Sequence, residues 1–163
     1  MENIIEKLSS YNIFNYLLPG VIFVVFCKQY ADIDIVQDDI LVGFFLYYFI
    51  GLIISRVGSL VIEPLFKQVG FIKLASYENY LKASKDDPKI DVLNEMNNVY
   101  RTLIALFIIS LATLGYKYAA SAFPPLERYA GYIWSIFLLV LFLCSYSKQS
   151  RYITKRVNKI NNL

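Results

Sequence analysis

ILVGFFLYYFIGLIISRVGSLVI, residues 40–62, carries one charge, Arg56, in 23 residues. At about 1.5 Å per helical residue it covers roughly 34 Å, enough to cross a hydrocarbon core of about 30 Å. Gly51, Ser55 and Ser59 recur every fourth residue, so they share a face that lets another helix backbone approach closely. Arg56 lies near enough to the end for its stem to carry the guanidinium to the headgroups, the plainer of two readings. The sharper one is an ion pair with Glu63, seven residues on and nearly on the same face, or with a backbone carbonyl. Pro64 is expected to discourage any continuation of the helix.

The rest of the composition agrees with a chain solvated by lipid. Hydrophobic residues make up 57% of the 163, gathered into long runs instead of alternating through short elements. A net charge of +3, scattered along the chain, gives no footprint for nucleic acid. The absence of histidine removes a large share of acid–base catalysts, zinc sites and haem ligands. Cys27 and Cys144 end apolar runs without metal-like spacing, so they read as ordinary apolar thiols, and neither cofactor nor metal is expected. No small-x-small cleavage pattern precedes Lys28, so a removed secretory signal is not expected.

In chain order, Ile4, Ile5 and Leu8 suggest a short interfacial helix over residues 2–8. Residues 8–27 are uncharged and just long enough to span. Asn12 and Asn15, three apart, either bond across a helix interface or sit in the headgroup layer, and Pro19-Gly20 predicts a kink near Asn15 and a candidate hinge. Residues 28–39 hold four aspartates but lack the calcium-loop pattern, so they read as a solvated acidic connection.

Residues 63–101 are the one long polar stretch. Leu65, Phe66, Val69, Phe71, Ile72, Tyr77, Tyr80 and Leu81 suggest an amphipathic helix on the bilayer or a partner. Asp87 then reads as an N-cap with Pro88 at the first helical position, opening one long helix from Pro88 to about Ala120 that contains the third span, residues 102–119. Phe123-Pro124-Pro125 breaks the chain before the fourth span, 129–147. Lys148, Arg151, Lys155, Arg156 and Lys159, with no acid among them, give the tail 148–163 the pattern of a basic amphipathic helix facing anionic lipid.

Twelve lysines and arginines fall on the side of the amino terminus, the 63–101 loop and the tail, against three on the other side. The positive-inside rule therefore puts both termini and that loop in the cytoplasm. The expected fold is all-α: a single membrane domain over 1–163, built as a four-helix transmembrane bundle with a cytoplasmic helical loop and a basic amphipathic C-terminal helix. None of the 13 acids lies inside a span, with Glu63 at a boundary, which disfavours an ion-coupled transporter. Serine and cysteine nucleophiles lack a histidine to activate them, so no enzyme is expected. Arg56, Asn12, Asn15 and Glu63 are the intramembrane polar or pore candidates, and Gly51, Ser55 and Ser59 the packing face. The partners expected are the lipid bilayer, further copies of the chain and a cytosolic protein met through residues 63–101.

In span number, orientation and loop size the chain resembles the compact four-span membrane components of bacterial antiviral defence loci, such as the membrane subunit of the Kiwa system. YNIFNYLLPG at Tyr11 to Gly20 is the nearest thing to a signature. The resemblance implies an inner-membrane sensor or effector that oligomerises and works with a cytosolic partner or signal. A passive anchor or scaffold for a soluble enzyme is the alternative, and a small channel or transporter the third reading.

Overall fold

A computed structural model describes residues 10–161. The helices are α1 (Ser10–Ala31), α2 (Ile40–Gln68), α3 (Tyr77–Asp86), α4 (Lys89–Ala122), α5 (Pro125–Arg128) and α6 (Ala130–Asn161), with no strand among the described residues. Four of them, α1, α2, α4 and α6, are long and apolar enough to cross a membrane, so the protein is an all-α multi-pass membrane protein. The interfacial helix expected over residues 2–8, and the Leu8–Ser9 start of the first span, lie outside the described residues. The chain divides into two compact units, one through Tyr118 and one from Ala119.

In the first unit, α1 and α2 meet backbone to backbone. A Cβ added to Gly20 would stand 1.8 Å from the carbonyl oxygen of Tyr47, and one added to Gly51 would stand 1.6 Å from that of Tyr16. The contact is reciprocal: each helix offers a tyrosine carbonyl and, four residues on, a glycine that receives the other helix's carbonyl. Tyr-x-x-x-Gly occurs at 16–20 and again at 47–51. Such proximity suits Cα–H···O contacts between helices. The ring of Tyr16 packs edge-on to Tyr48 beside the crossing, with centroids 5.4 Å apart.

Both helices contain turns wider than α; one, over Cys27–Ala31, closes the end of α1 with the Asp32 N–H donating to the Cys27 carbonyl, and the other two lie near prolines. In α1 the Leu18 N–H donates to the Ile13 carbonyl, closing a π-turn over Ile13–Leu17. In α2 the Glu63 N–H donates to the Gly58 carbonyl, closing another over Gly58–Ile62. These last two turns each end two residues before a proline, Pro19 or Pro64. A proline ring crowds the carbonyl four residues back, here Asn15 or Leu60, and a widened turn relieves that crowding. This corrects the expectation that Pro64 discourages the helix, because α2 runs through it to Gln68.

The stop comes at Gly70 (φ +75°), where the Phe71 N–H donates to the Phe66 carbonyl (2.9 Å) and the Gly70 N–H to that of Lys67 (3.2 Å). These are the paired bonds of a Schellman cap, and the edge-on Phe66–Phe71 contact, 4.9 Å between centroids, supplies its apolar clasp. The amphipathic helix expected after Glu63 is therefore broken in two, with irregular chain between Gly70 and Ser76.

Ser76 caps α3 by accepting from the Asn79 N–H at 3.2 Å. Asp87 accepts from the Lys89 N–H at 2.9 Å and so opens α4, whose 34 residues unite the expected helix with the third span. At about 51 Å, α4 is some 20 Å longer than a hydrocarbon core. The Tyr80 hydroxyl donates to Asp91 (2.7 Å), pinning α3 to the start of α4.

The acidic connection has several structural roles. Asp39 caps α2 by accepting from the Leu41 and Val42 N–H groups, Asp32 pairs with Lys117 of α4, and Asp34 meets Lys28 at 3.0 Å. The hydrogen bond from Lys28, helped by one from the Val36 N–H, holds the exposed Asp34 carboxyl below its ordinary pKa. Asp32, at φ 56°, ends α1 in the left-handed region that aspartate tolerates.

In the second unit, α5 leads through Tyr129 into α6, with the Arg128 guanidinium 5.7 Å from the Tyr129 ring centre. The 32 residues of α6 hold the fourth span and the basic tail as far as Asn161 in one unbroken helix, with residues 162–163 outside the described residues.

Gly20→Ala and Gly51→Ala should each force α1 and α2 apart and cost about 3 kcal/mol or more. Gly115→Ala and Gly131→Ala, where an added Cβ meets nothing within 4 Å, should be neutral or slightly stabilising. Thermal unfolding of the four variants in detergent checks the contrast.

Candidate functional site

The residues with the most chemistry meet where α1, α2 and α4 converge. Asn15, Ser55 and Thr102 come one from each span, and their exposures are 1%, 4% and 0%. The Asn15 Nδ2 donates to Ser55 Oγ at 3.3 Å, while Thr102 Oγ1 lies 2.8 Å from Asn15 Oδ1, 3.2 Å from Ser55 Oγ and 2.9 Å from the Asn98 carbonyl. A threonine hydroxyl has one proton, so it cannot donate to all three. One arrangement satisfies the side chains as a closed ring. The Asn15 amide donates to Ser55, the Ser55 hydroxyl to Thr102, and the Thr102 hydroxyl back to the Asn15 carbonyl. In a low-dielectric interior the members of such a ring strengthen one another.

Sequence and packing place each member. The π-turn of α1 contains Asn15, Ser55 stands four residues after the Gly51 crossing, and Thr102 opens the uncharged run of α4. Next to the ring, Gly58 brings α2 onto α4, since its added Cβ would stand 3.3 Å from the Arg101 carbonyl oxygen and 3.3 Å from Ala105 Cβ. Ile54, Ile62, Ala105 and Leu106 form the apolar core alongside, with Phe23, Ile50, Phe66, Leu103 and Ile109 packed on it.

Beside the ring stands a charged group. Glu63 Oε2 accepts from Arg101 Nη1 at 2.5 Å and Glu63 Oε1 from Lys67 Nζ at 2.9 Å, with the Glu63 side chain 10% exposed and that of Arg101 20%. The Arg101 Nε is buried and has no hydrogen-bond acceptor. Two cations thus share one carboxylate, and removing Glu63 would strand a largely buried guanidinium, which is strongly unfavourable. Among the described residues no three His, Cys, Asp or Glu side chains gather as a metal site.

The structure combines some of the sequence candidates and separates others. Gly51 and Ser55 face α1, and Ser59 is buried in the π-turn, so this small-residue face is covered within the chain. Asn15 is at the centre of the ring, while Asn12 is half-buried outside it. Pro19 and Gly20 are buried at the α1–α2 crossing. Glu63 pairs with Arg101 and Lys67 and not with Arg56, which is half-buried and makes no ion pair among the described residues. Lys148, Arg151, Lys155, Arg156 and Lys159 lie along the final turns of α6, in the other unit.

Sequence reading missed Thr102, Arg101 and Gly58. The first two carried a signal, a hydroxyl and a charge side by side where the third apolar run begins. Gly58 carried none, because it lies one residue off the four-residue repeat.

Thr102→Val keeps the shape and removes the hydroxyl, leaving Asn15 Oδ1 without its donor. The expected cost is about 1 kcal/mol, within the range for hydrogen bonds inside membrane bundles. Thr102→Ser should retain stability, and unfolding of both variants in detergent measures the difference. Comparison with protein-family models, with curated proteins and with solved structures finds no match to the chain.

Proposed function

We propose that this chain is a non-enzymatic protein of a bacterial inner membrane. It acts as a homo-oligomeric sensor or effector, either by perturbing the membrane or by coupling a membrane event to a cytosolic partner. The observation that carries the reading is the join between the Asn15–Ser55–Thr102 ring and the Glu63–Arg101–Lys67 group. The ring ties three of the apolar helices together, and the charged group stands beside it, where the apolar run of α2 ends and that of α4 begins, next to residues 63–101. A displacement of one span is thereby felt at the base of that loop.

Lysine and arginine distribution supports placing both termini and the loop in the cytoplasm. With its small-residue face covered by α1, α2 would have to oligomerise through other surfaces, such as the exposed side of Phe44, Phe45 and Phe49. Four spans enclose little space, which supports several copies around an axis for any conducting role. An antiviral setting is supported by the layout alone. The second reading, a passive anchor for a soluble enzyme, is favoured by the length of α4, which exceeds what a span needs by about 20 Å and would leave its polar first turns as a docking post.

Expression with a voltage-sensitive dye separates the two readings. An effector depolarises cells when activated and an anchor does not. A protein that elutes strictly as a monomer at all concentrations in detergent and in native lipid contradicts the oligomeric reading. Arg56→Ala should leave assembly and membrane potential unchanged if Arg56 only snorkels, and abolish one of them if it lines an interface or pore.

A further inference from the structure

We propose that Pro64 is a register-setting residue: by holding the π-turn at Gly58–Ile62 it turns Glu63 to face Arg101. The argument is one of angles. In an uninterrupted α-helix each residue advances about 100°, so eight residues leave Glu63 about 80° away from Ser55 around the axis. A π-turn absorbs one residue, which brings Glu63 back to within about 20° of Ser55. The structure has the second arrangement, with Ser55 and Glu63 both buried, Ser55 against Thr102 and Glu63 against the adjacent Arg101.

The wide turn has a local cause. Pro64 has no N–H to give to Leu60 and its ring crowds that carbonyl, while the Glu63 N–H reaches back to Gly58. The same geometry recurs in α1, where the π-turn containing Asn15 ends two residues before Pro19. Two prolines therefore flank the two segments that present polar side chains to α4. Pro64 is itself exposed and acts through the direction in which Glu63 points. The inference does not depend on the proposed function, since it concerns how the charged group is assembled.

The test is a double-mutant cycle of Glu63→Gln and Arg101→Gln on the thermal midpoint in detergent, run in three backgrounds. With Pro64 present, each single variant should lower the midpoint by about 5 °C or more, and the pair by much less than the sum. With Pro64→Ala the turn relaxes toward α, Glu63 swings away, and the coupling should fall to within about 1 °C of zero. Adding deletion of Leu60 to Pro64→Ala removes the residue that the π-turn absorbed, and the coupling should return. A purely structural role for Pro64 gives no reason for a deletion inside a span to rescue anything.

Coupling that survives Pro64→Ala overturns the proposal, because another contact then sets the register. So does a Pro64→Ala protein with Leu60 deleted that fails to fold or stays uncoupled. If Pro64→Ala alone does not fold, a folded and coupled deletion variant supports the proposal by itself.

Discussion

Inside a bilayer a polar group has no water to turn to, and that constraint accounts for most of what is specific in this structure. Asparagine, serine and threonine on three different spans would each be costly in hydrocarbon alone. Together, as Asn15, Ser55 and Thr102, they consume one another's donors and acceptors. The apolar contacts around them are less selective, since leucine and isoleucine side chains are as well solvated by lipid tails as by each other. The hydrogen-bonded ring therefore fixes which helix faces meet, and close packing follows where glycines allow it.

Two glycines give that packing its geometry. At Gly20 and Gly51 the helices approach until carbonyl oxygens occupy the volume of a side chain, which brings Asn15 within reach of Ser55 one turn further along. Gly58 then admits α4 and sets Thr102 into the same layer. Two of the three π-turns belong to this system, each placed two residues before a proline and each turning a polar residue toward the common interface. Stability and the disposition of charge at the base of the 63–101 loop are thus properties of one arrangement.

Periodicity and charge made much of this legible beforehand. The four apolar runs, the Asp87 cap that opens α4 and the closeness of Gly51 and Ser55 to a neighbouring helix all follow from spacing within one helix. What sequence did not disclose is pairing between helices. Nothing in the run after Arg101 says that Thr102 faces Asn15, because the two are 87 residues apart and only the fold brings them together. Pro64 was misleading for a related reason: a proline ends a helix unless the turn before it widens, and the widened turn here is matched by the Glu63–Arg101 contact in tertiary structure. The signal that does end α2, Gly70 followed by Phe71, is local and was available.

The most direct measurement is solvent exchange of the Asn15 side-chain amide by solid-state NMR, in protein reconstituted into bilayers. With Asn15 joined to Ser55 and Thr102 in a layer closed to water, the amide should exchange orders of magnitude more slowly than that of an exposed asparagine such as Asn158. Exchange of Asn15 at the rate of Asn158 would mean that water reaches the layer, and the three spans would not be joined as described.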